Sequence, residues 1–372
     1  MDVSISRRNK ENIRVTPVLQ QTAFWSEVKR LQGVSSRAFR ISVNPNEADG
    51  TAGNDDLTDD ILVLFQDIGD GYSIAYVPYG PRLNPGEENF GPFLEELSEI
   101  LRSYLPEGCI LLRYDLLWRS PWSYDKNRFN DNGDWLGPPE QKSQEIRVNF
   151  PTRYWNLKKA ESNILPADTV FIDVRRTEDE LLGSMRAKTR YNIRLSRRRG
   201  VEVVSADKTS LDTWYMLYRE TCRRNKINLH GRHFFRAVAE AAKVFHGDST
   251  DVELLIARAD GKALAAMFLV TAGKRATYLY GASATGNRNL MPTYALQWDA
   301  IKRARRKGCR EYDMFGVSPS ADKDHPMYGL YRFKTGFGGY IFHRMGCWDY
   351  PLNTGLYEQM RTLEMGRSGY HV

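Results

Sequence analysis

Strand-like apolar runs at 252–258, 263–270 and 275–280 follow one another with only Asp260-Gly261 and Ala272-Gly273 between them. Such short Gly-containing joints predict an antiparallel meander. Further strands are expected at 169–174, 201–204, 310–315 and 340–345. Helical spacing marks 211–225 and 292–306, and a turn or helix is expected over 327–335. Thr177 with Glu180 forms a capping box, and the helix it opens is expected to run to about Arg199, where Gly200 stops it. The first half reads as a helix at 22–32, strands at 38–43, 61–66 and 72–77, a helix near 90–104 and a strand at 109–114. Residues 120–156, rich in Pro, Asn, Gly and Trp, read as an irregular wrapping or linking segment.

A meander followed by α-β-α-β is an α+β order, and it matches the acyltransferase fold typified by GCN5-related (GNAT) enzymes. At 372 residues the chain can hold two full cores. No internal sequence repeat is visible. No apolar run approaches the roughly 18 residues a membrane span needs, and the first eight residues lack the apolar stretch of a secretory signal. A cytoplasmic protein is therefore expected. Cys109, Cys222, Cys309 and Cys347 lie far apart without CxxC spacing, so free thiols are expected, with neither disulfide nor metal.

The net charge of +7 permits a polyanionic partner, and its distribution matters more than its size. Residues 44–60 form an acidic, Gly/Asn-rich loop, whereas cations concentrate between Arg175 and Arg232. Arg186, Arg190, Arg194 and Arg198 recur every four residues along one helix face, with Lys188, Arg197 and Arg199 beside them. Leu182, Met185 and Ile193 fall on another face that can bury. A solvated helix face is the ordinary explanation of a charge run. Here no alternating Glu is present, and arginines about 6 Å apart suit successive phosphates. Lys334 lies between aromatics just before Gly336, Gly338 and Gly339. A lysine so placed can carry a charge into a partly dry site, or can merely pack.

Several segments then converge in order and spacing: 188–194 with Gly200-Val201, Thr221-Cys222-Arg223-Arg224-Asn225, and Tyr278-Leu279-Tyr280-Gly281-Ala282-Ser283. They continue with Leu290-Met291-Pro292, Tyr312-Asp313-Met314-Phe315-Gly316 and Arg332-Phe333-Lys334-Thr335-Gly336. In these the chain resembles the FemABX family, aminoacyl-tRNA-dependent transferases that build the interpeptide bridge of peptidoglycan. The resemblance implies two GNAT domains with mixed central sheets flanked by helices. The first would cover 1–156, completed by 347–372, and the second 157–346. Lys29, Thr221, Arg223, Tyr278 and Tyr280 would contact the precursor, the cations Lys29 and Arg223 through its diphosphate. Lys334, with Phe333 beside it, would sit at the reacting ester, and Asp115 near the acceptor amine, whereas the plain alternative for Asp115 is a strand-end carboxylate paired with Arg113. Lys188, Arg190, Arg194, Arg197 and Arg198 would meet tRNA or phosphate.

Aminoacyl-tRNA would be a co-substrate, with no further cofactor and no metal. The acceptor would be UDP-MurNAc-pentapeptide or lipid II, met by a monomer in the cytoplasm or at the inner membrane face. Two departures stand out. Residues 231–250 are too short for the coiled-coil arm of longer members, and Ile227 stands where some members have a tyrosine. Two rivals remain: a coenzyme-A-dependent N-acyltransferase and a non-catalytic RNA-binding protein. Coenzyme A is disfavoured because residues 287–293 contain no glycine to bring backbone amides onto a diphosphate.

Overall fold

The computed structural model describes residues 2–43, 58–131, 133–206, 210–245 and 250–365. The acidic loop expected over 44–60 lies outside them except for its last three residues, which open the strand Thr58–Gly69. The chain divides into two units, one of residues 1–14, 20–167 and 343–372, the other of 15–19 and 168–342. These divisions differ from 156/157 and 346/347. The short strand Lys158–Lys159 pairs with Asp349 and Trp348, which keeps it in the first unit.

In the first unit, Val3–Arg8, Ser35–Val43, Thr58–Gly69, Tyr72–Val77 and Cys109–Arg119 lie side by side in that order, followed by the strand Tyr340–Pro351 from residue 343 on. Neighbours are antiparallel except Tyr72–Val77 and Cys109–Arg119. A parallel pair needs a crossover, and helix Phe90–Arg102 supplies it. Its Phe90, Phe93, Leu94, Leu97 and Leu101 recur at helical spacing and are all buried with Phe39, Ile41, Leu112 and Tyr114.

The second unit has the same plan. Glu202–Ala206, Thr250–Ala259, Lys262–Ala272, Arg275–Ser283, Glu311–Gly316 and Asp168–Asp173 lie in that order. Only Arg275–Ser283 and Glu311–Gly316 are parallel, joined through helix Pro292–Arg306. Each unit is thus an α+β, GNAT-like mixed sheet flanked by helices, as expected.

Several elements differ from expectation, strand Val3–Arg8 among them. The helix expected over 177–199 is two helices, Glu178–Ser184 and Ala187–Arg198, parted by extended Met185 and Arg186. Met185 is buried there, and the Arg186 amide donates to the Gly336 carbonyl (2.9 Å) instead of continuing a helical ladder. Within the segment expected to be irregular lies helix Gln141–Asn149. Helices Arg232–Val244 and Thr354–Met365 were also not anticipated.

Candidate active site

Strands Arg275–Ser283 and Glu311–Gly316 are in register only from Arg275–Glu311 to Thr277–Asp313. Beyond that point the first carries Tyr278 and the second becomes irregular between Asp313 and Gly316. Phe315 sits in this irregularity with φ 60°, a left-handed backbone that bulky residues rarely adopt. There the carbonyls of Phe315 and Gly316 accept from Lys334 Nζ at 3.1 and 2.6 Å. The same ammonium lies 5.5 Å from the centre of the Tyr278 ring. Lys334 is only 4% exposed. Burial lowers its pKa to about 7, against the opposing pull of Asp313. Asp313 is itself fixed by the Thr169 hydroxyl and by the Phe315 N–H at 2.8 Å. An ammonium has three N–H bonds, so two are spent on these carbonyls and one remains.

The glycines after Lys334 explain how it is brought there. Helix Tyr328–Thr335 ends against helices Glu178–Ser184 and Ala187–Arg198. A Cβ on Gly338, whose φ is +81°, would stand 2.7 Å from the Ser184 carbonyl carbon, and one on Gly336 would stand 2.5 Å from Thr189 Oγ1. Gly339 lies equally close to Phe171. Phe333 is half-buried, edge-on to Tyr294 (5.1 Å) and Phe337 (5.3 Å), so its ring packs the helix that carries Lys334. Gly281 serves Tyr278 in the same way, since any side chain there would collide with the tyrosine hydroxyl. Burial pushes the Tyr278 hydroxyl up to about 12.

A second feature of this unit is a cavity of about 560 Å³ lined by Met216, Arg219, Glu220, Arg223, Arg224 and Thr285. Arg224 donates to the Ser283 carbonyl and hydroxyl, both at 3.0 Å. Glu220 accepts from the Thr285 amide (2.8 Å), which leaves the cavity rich in cations. Arg223 is among them, while Arg219 and Arg224 were missed by sequence reasoning. The i, i+4 spacing of Arg219 and Arg223 on helix Leu211–Asn225 was the available signal. Thr221 latches that helix to the sheet, accepting from the Ser283 amide at 2.9 Å with its hydroxyl 2.9 Å from Leu217 O. Tyr280 sits in an aromatic cluster, edge-on to Phe235 (5.3 Å) and Phe234 (5.9 Å). Burial raises its hydroxyl pKa.

On helix Ala187–Arg198, Thr189, Asn192, Ile193 and Ser196 are buried, whereas Lys188, Arg194, Arg197 and Arg198 are exposed. Among the described residues no carboxylate pairs with those four cations. Arg190 departs from the expected stripe. Its guanidinium folds back on the carbonyls of Met185 and Gly183, satisfying the end of the preceding helix.

Asp115 and Lys29 belong to the first unit. Asp115 is fully buried, and its Oδ2 accepts from Tyr76 Oη and Leu165 N, both at 2.9 Å. Its Oδ1 has no hydrogen bond, with Cys347 opposite it in the ladder. Burial raises the carboxyl pKa, although the Leu165, Tyr76 and Cys347 contacts oppose the rise. The anticipated pairing with Arg113 does not form, because Arg113 is bidentate to Asp349 (2.7 and 2.8 Å) and also bound by Glu364. Lys29 lies 5.1 Å over Trp25 and donates to Gln32 Oε1 (3.0 Å), with its pKa lowered by burial.

Among the described residues, no group of three His, Cys, Asp or Glu could hold a metal, and no helix is long and apolar enough to cross a membrane. All four cysteines are free. In the 287–293 turn the amides of Leu290 and Met291 are spent on Asn287 and Arg288 carbonyls, and those of Tyr294 and Ala295 on Met291. Pro292 has none to offer.

The sequence pattern of the FemAB family matches residues 14–260 and 245–365. The chain belongs to the FemAB family. It is 32% identical over 155 residues to a lipid II:glycine glycyltransferase of Staphylococcus haemolyticus (strain JCSC1435), covering 42% of this chain and 35% of that protein. A lipid II:glycine glycyltransferase of Staphylococcus aureus (strain USA300) is 25% identical over 261 residues, covering 52% of this chain and 61% of the relative. The matches thus span about a third to three fifths of these relatives' lengths. The crystal structure of FemX superposes with a TM-score of 0.72 at 20% identity, covering 96% of this chain and all of that one. This FemAB-family chain therefore shares its fold with FemX over nearly its whole length.

Proposed function

We propose that this protein transfers an amino acid from aminoacyl-tRNA to the amine of a peptidoglycan-precursor stem peptide, UDP-MurNAc-pentapeptide or lipid II. The observation that carries this is Lys334, a buried ammonium with one N–H to spare, held where two strands part. In the reaction the acceptor amine attacks the ester carbonyl, and the electron pair moves onto the carbonyl oxygen. Collapse, with loss of a proton from the attacking nitrogen, forms the amide and expels the ribose oxygen, which must gain a proton. The Lys334 N–H stabilises the developing oxyanion and supplies that proton. A pKa near 7 suits both tasks at neutral pH. An ester is activated relative to an amide, so no covalent enzyme intermediate is required.

Arg223, with Arg219 and Arg224, is assigned to the precursor diphosphate, and the exposed cations of helix Ala187–Arg198 to tRNA phosphates. Lys29 is proposed to contribute to diphosphate binding, and Asp115 to orient the acceptor ammonium or take its proton. The protein is taken to act as a monomer in the cytoplasm or at the inner membrane face. Coenzyme A is the weaker donor, because the turn that would cradle its diphosphate spends the Leu290 and Met291 amides within the chain, as the helix start beyond it spends those of Tyr294 and Ala295.

Mass spectrometry of products formed from charged tRNA pools and either precursor tests the proposal. The expected product gains one amino-acid residue and disappears after RNase treatment. Product formation that survives RNase and needs coenzyme A would sink it.

A further inference from the structure

The loop 150–156 exposes side chains that a globular protein ordinarily buries. Phe150 is 79% exposed, Tyr154 55% and Trp155 46%, and Ile146, one turn before Phe150, is 48% exposed. Helix Gln141–Asn149 is inverted to match, burying Gln144, Val148 and Asn149. The backbone that presents these rings is fastened with buried polar groups. The Asn149 amide donates to Leu157 O (2.8 Å) and Glu145 O (2.9 Å) and accepts from Leu157 N (3.0 Å). The buried Glu95 carboxylate accepts from Arg153 N (2.7 Å) and Tyr154 N (2.8 Å). Desolvating a carboxylate and an amide is costly. What they secure is a closed loop with its aromatic rings outward, and large apolar side chains exposed together in one short segment mark an interaction surface.

The surrounding charge indicates the partner. Residues 141–158 carry Lys142, Arg147, Arg153 and Lys158 against a single acid, Glu145. The Glu145 carboxylate accepts from the Lys159 amide (2.9 Å). Lys142 and Arg153 are exposed, the latter stacked 5.3 Å over Tyr154, while Arg147 pairs with Glu87 (3.2 Å). Trp, Tyr and Phe beside Lys and Arg are what a bilayer interface selects, the rings at headgroup depth and the cations on lipid phosphates. A single-stranded nucleic-acid site would need rings alternating with cations along a groove, whereas here Ile146 and Phe150 add apolar surface without polar handles.

We infer that the loop 150–156 and the outer face of helix Gln141–Asn149 dock this protein on an anionic phospholipid surface. The inference deepens the proposed function, since a lipid-linked acceptor is met at a bilayer, but docking itself does not require Lys334. Co-sedimentation with phosphatidylglycerol/phosphatidylcholine vesicles provides the test. Wild type should bind, less so as salt rises, and the F150S/Y154S/W155S variant should partition about tenfold less or weaker still. Its thermal midpoint should match wild type, because all three side chains are exposed. Trp155→Phe alone should lose the part of brominated-lipid quenching that Trp155 contributes. Lys334→Met should bind vesicles as wild type does, so docking and transfer can fail separately. Absence of wild-type binding, unchanged binding in the triple variant, or displacement of the vesicles from the loop by an RNA oligonucleotide would overturn the inference.

Discussion

Lys334 is costly to bury, and its surroundings hold it as a poised rather than a permanent cation. Two carbonyls and the Tyr278 face favour the charged form, while desolvation favours the neutral one and lowers the pKa to about 7. A depressed lysine pKa means protonation below about pH 7 and a neutral amine above it. Transfer that needs the ammonium should therefore fall as pH rises through 7. In Lys334→Arg that basic limb should vanish from a kcat/KM–pH profile, because guanidinium keeps its proton. A limb unchanged in the variant would assign the titration elsewhere. From sequence, Lys334 was visible as a candidate, but its partners were not. The carbonyls of Phe315 and Gly316 come into play through a left-handed phenylalanine that no composition rule anticipates. Asp115 shows the opposite failure: its neighbour in sequence, Arg113, suggested an ion pair that a bidentate contact to Asp349 takes instead.

At the scale of elements, helical spacing identified the cationic helix but not its start. Met185 keeps the apolar rhythm going across the break, so only the Arg186–Gly336 hydrogen bond reveals where one helix stops and the next begins. The break also divides the arginines. Reversing Arg194, Arg197 and Arg198 to Glu should weaken tRNA binding and flatten its dependence on salt, by roughly 0.7–0.9 in log–log slope for each phosphate no longer neutralised. Arg190→Ala should leave that slope alone and lower the thermal midpoint, since its partners are carbonyls of the fold. Filter binding across a salt series separates the two. Helix Gln141–Asn149 escaped notice for a related reason. It buries Gln144 and Asn149 and exposes Ile146, which inverts the amphipathic signal on which sequence reasoning depends.

At the scale of the whole chain, the α+β order was legible in the hydrophobic pattern, whereas the doubled GNAT plan came only with the family resemblance. Both units place five successive strands and one outside strand in the same order, with one parallel pair bridged by a helix. Backbone order of this kind is satisfied by unrelated side chains, so no sequence repeat accompanies it. The C-terminal helix Thr354–Met365 is tied to the first unit by Arg113, which is 2% exposed and binds both Asp349 and Glu364. Arg113→Ala would strand two carboxylates and should cost about 3–5 kcal/mol in chemical denaturation. A cost near zero would show that the triad is dispensable.

The central claim is that Lys334 acts on the reacting ester rather than on precursor binding. Single-turnover transfer from pre-charged tRNA, run beside precursor-binding titrations for wild type and Lys334→Met, tests it most directly. The account predicts a rate loss of about 10²–10³-fold or more, with the precursor dissociation constant within about twofold of wild type. Wild-type rates in the variant, or a loss explained wholly by weaker precursor binding, would contradict it.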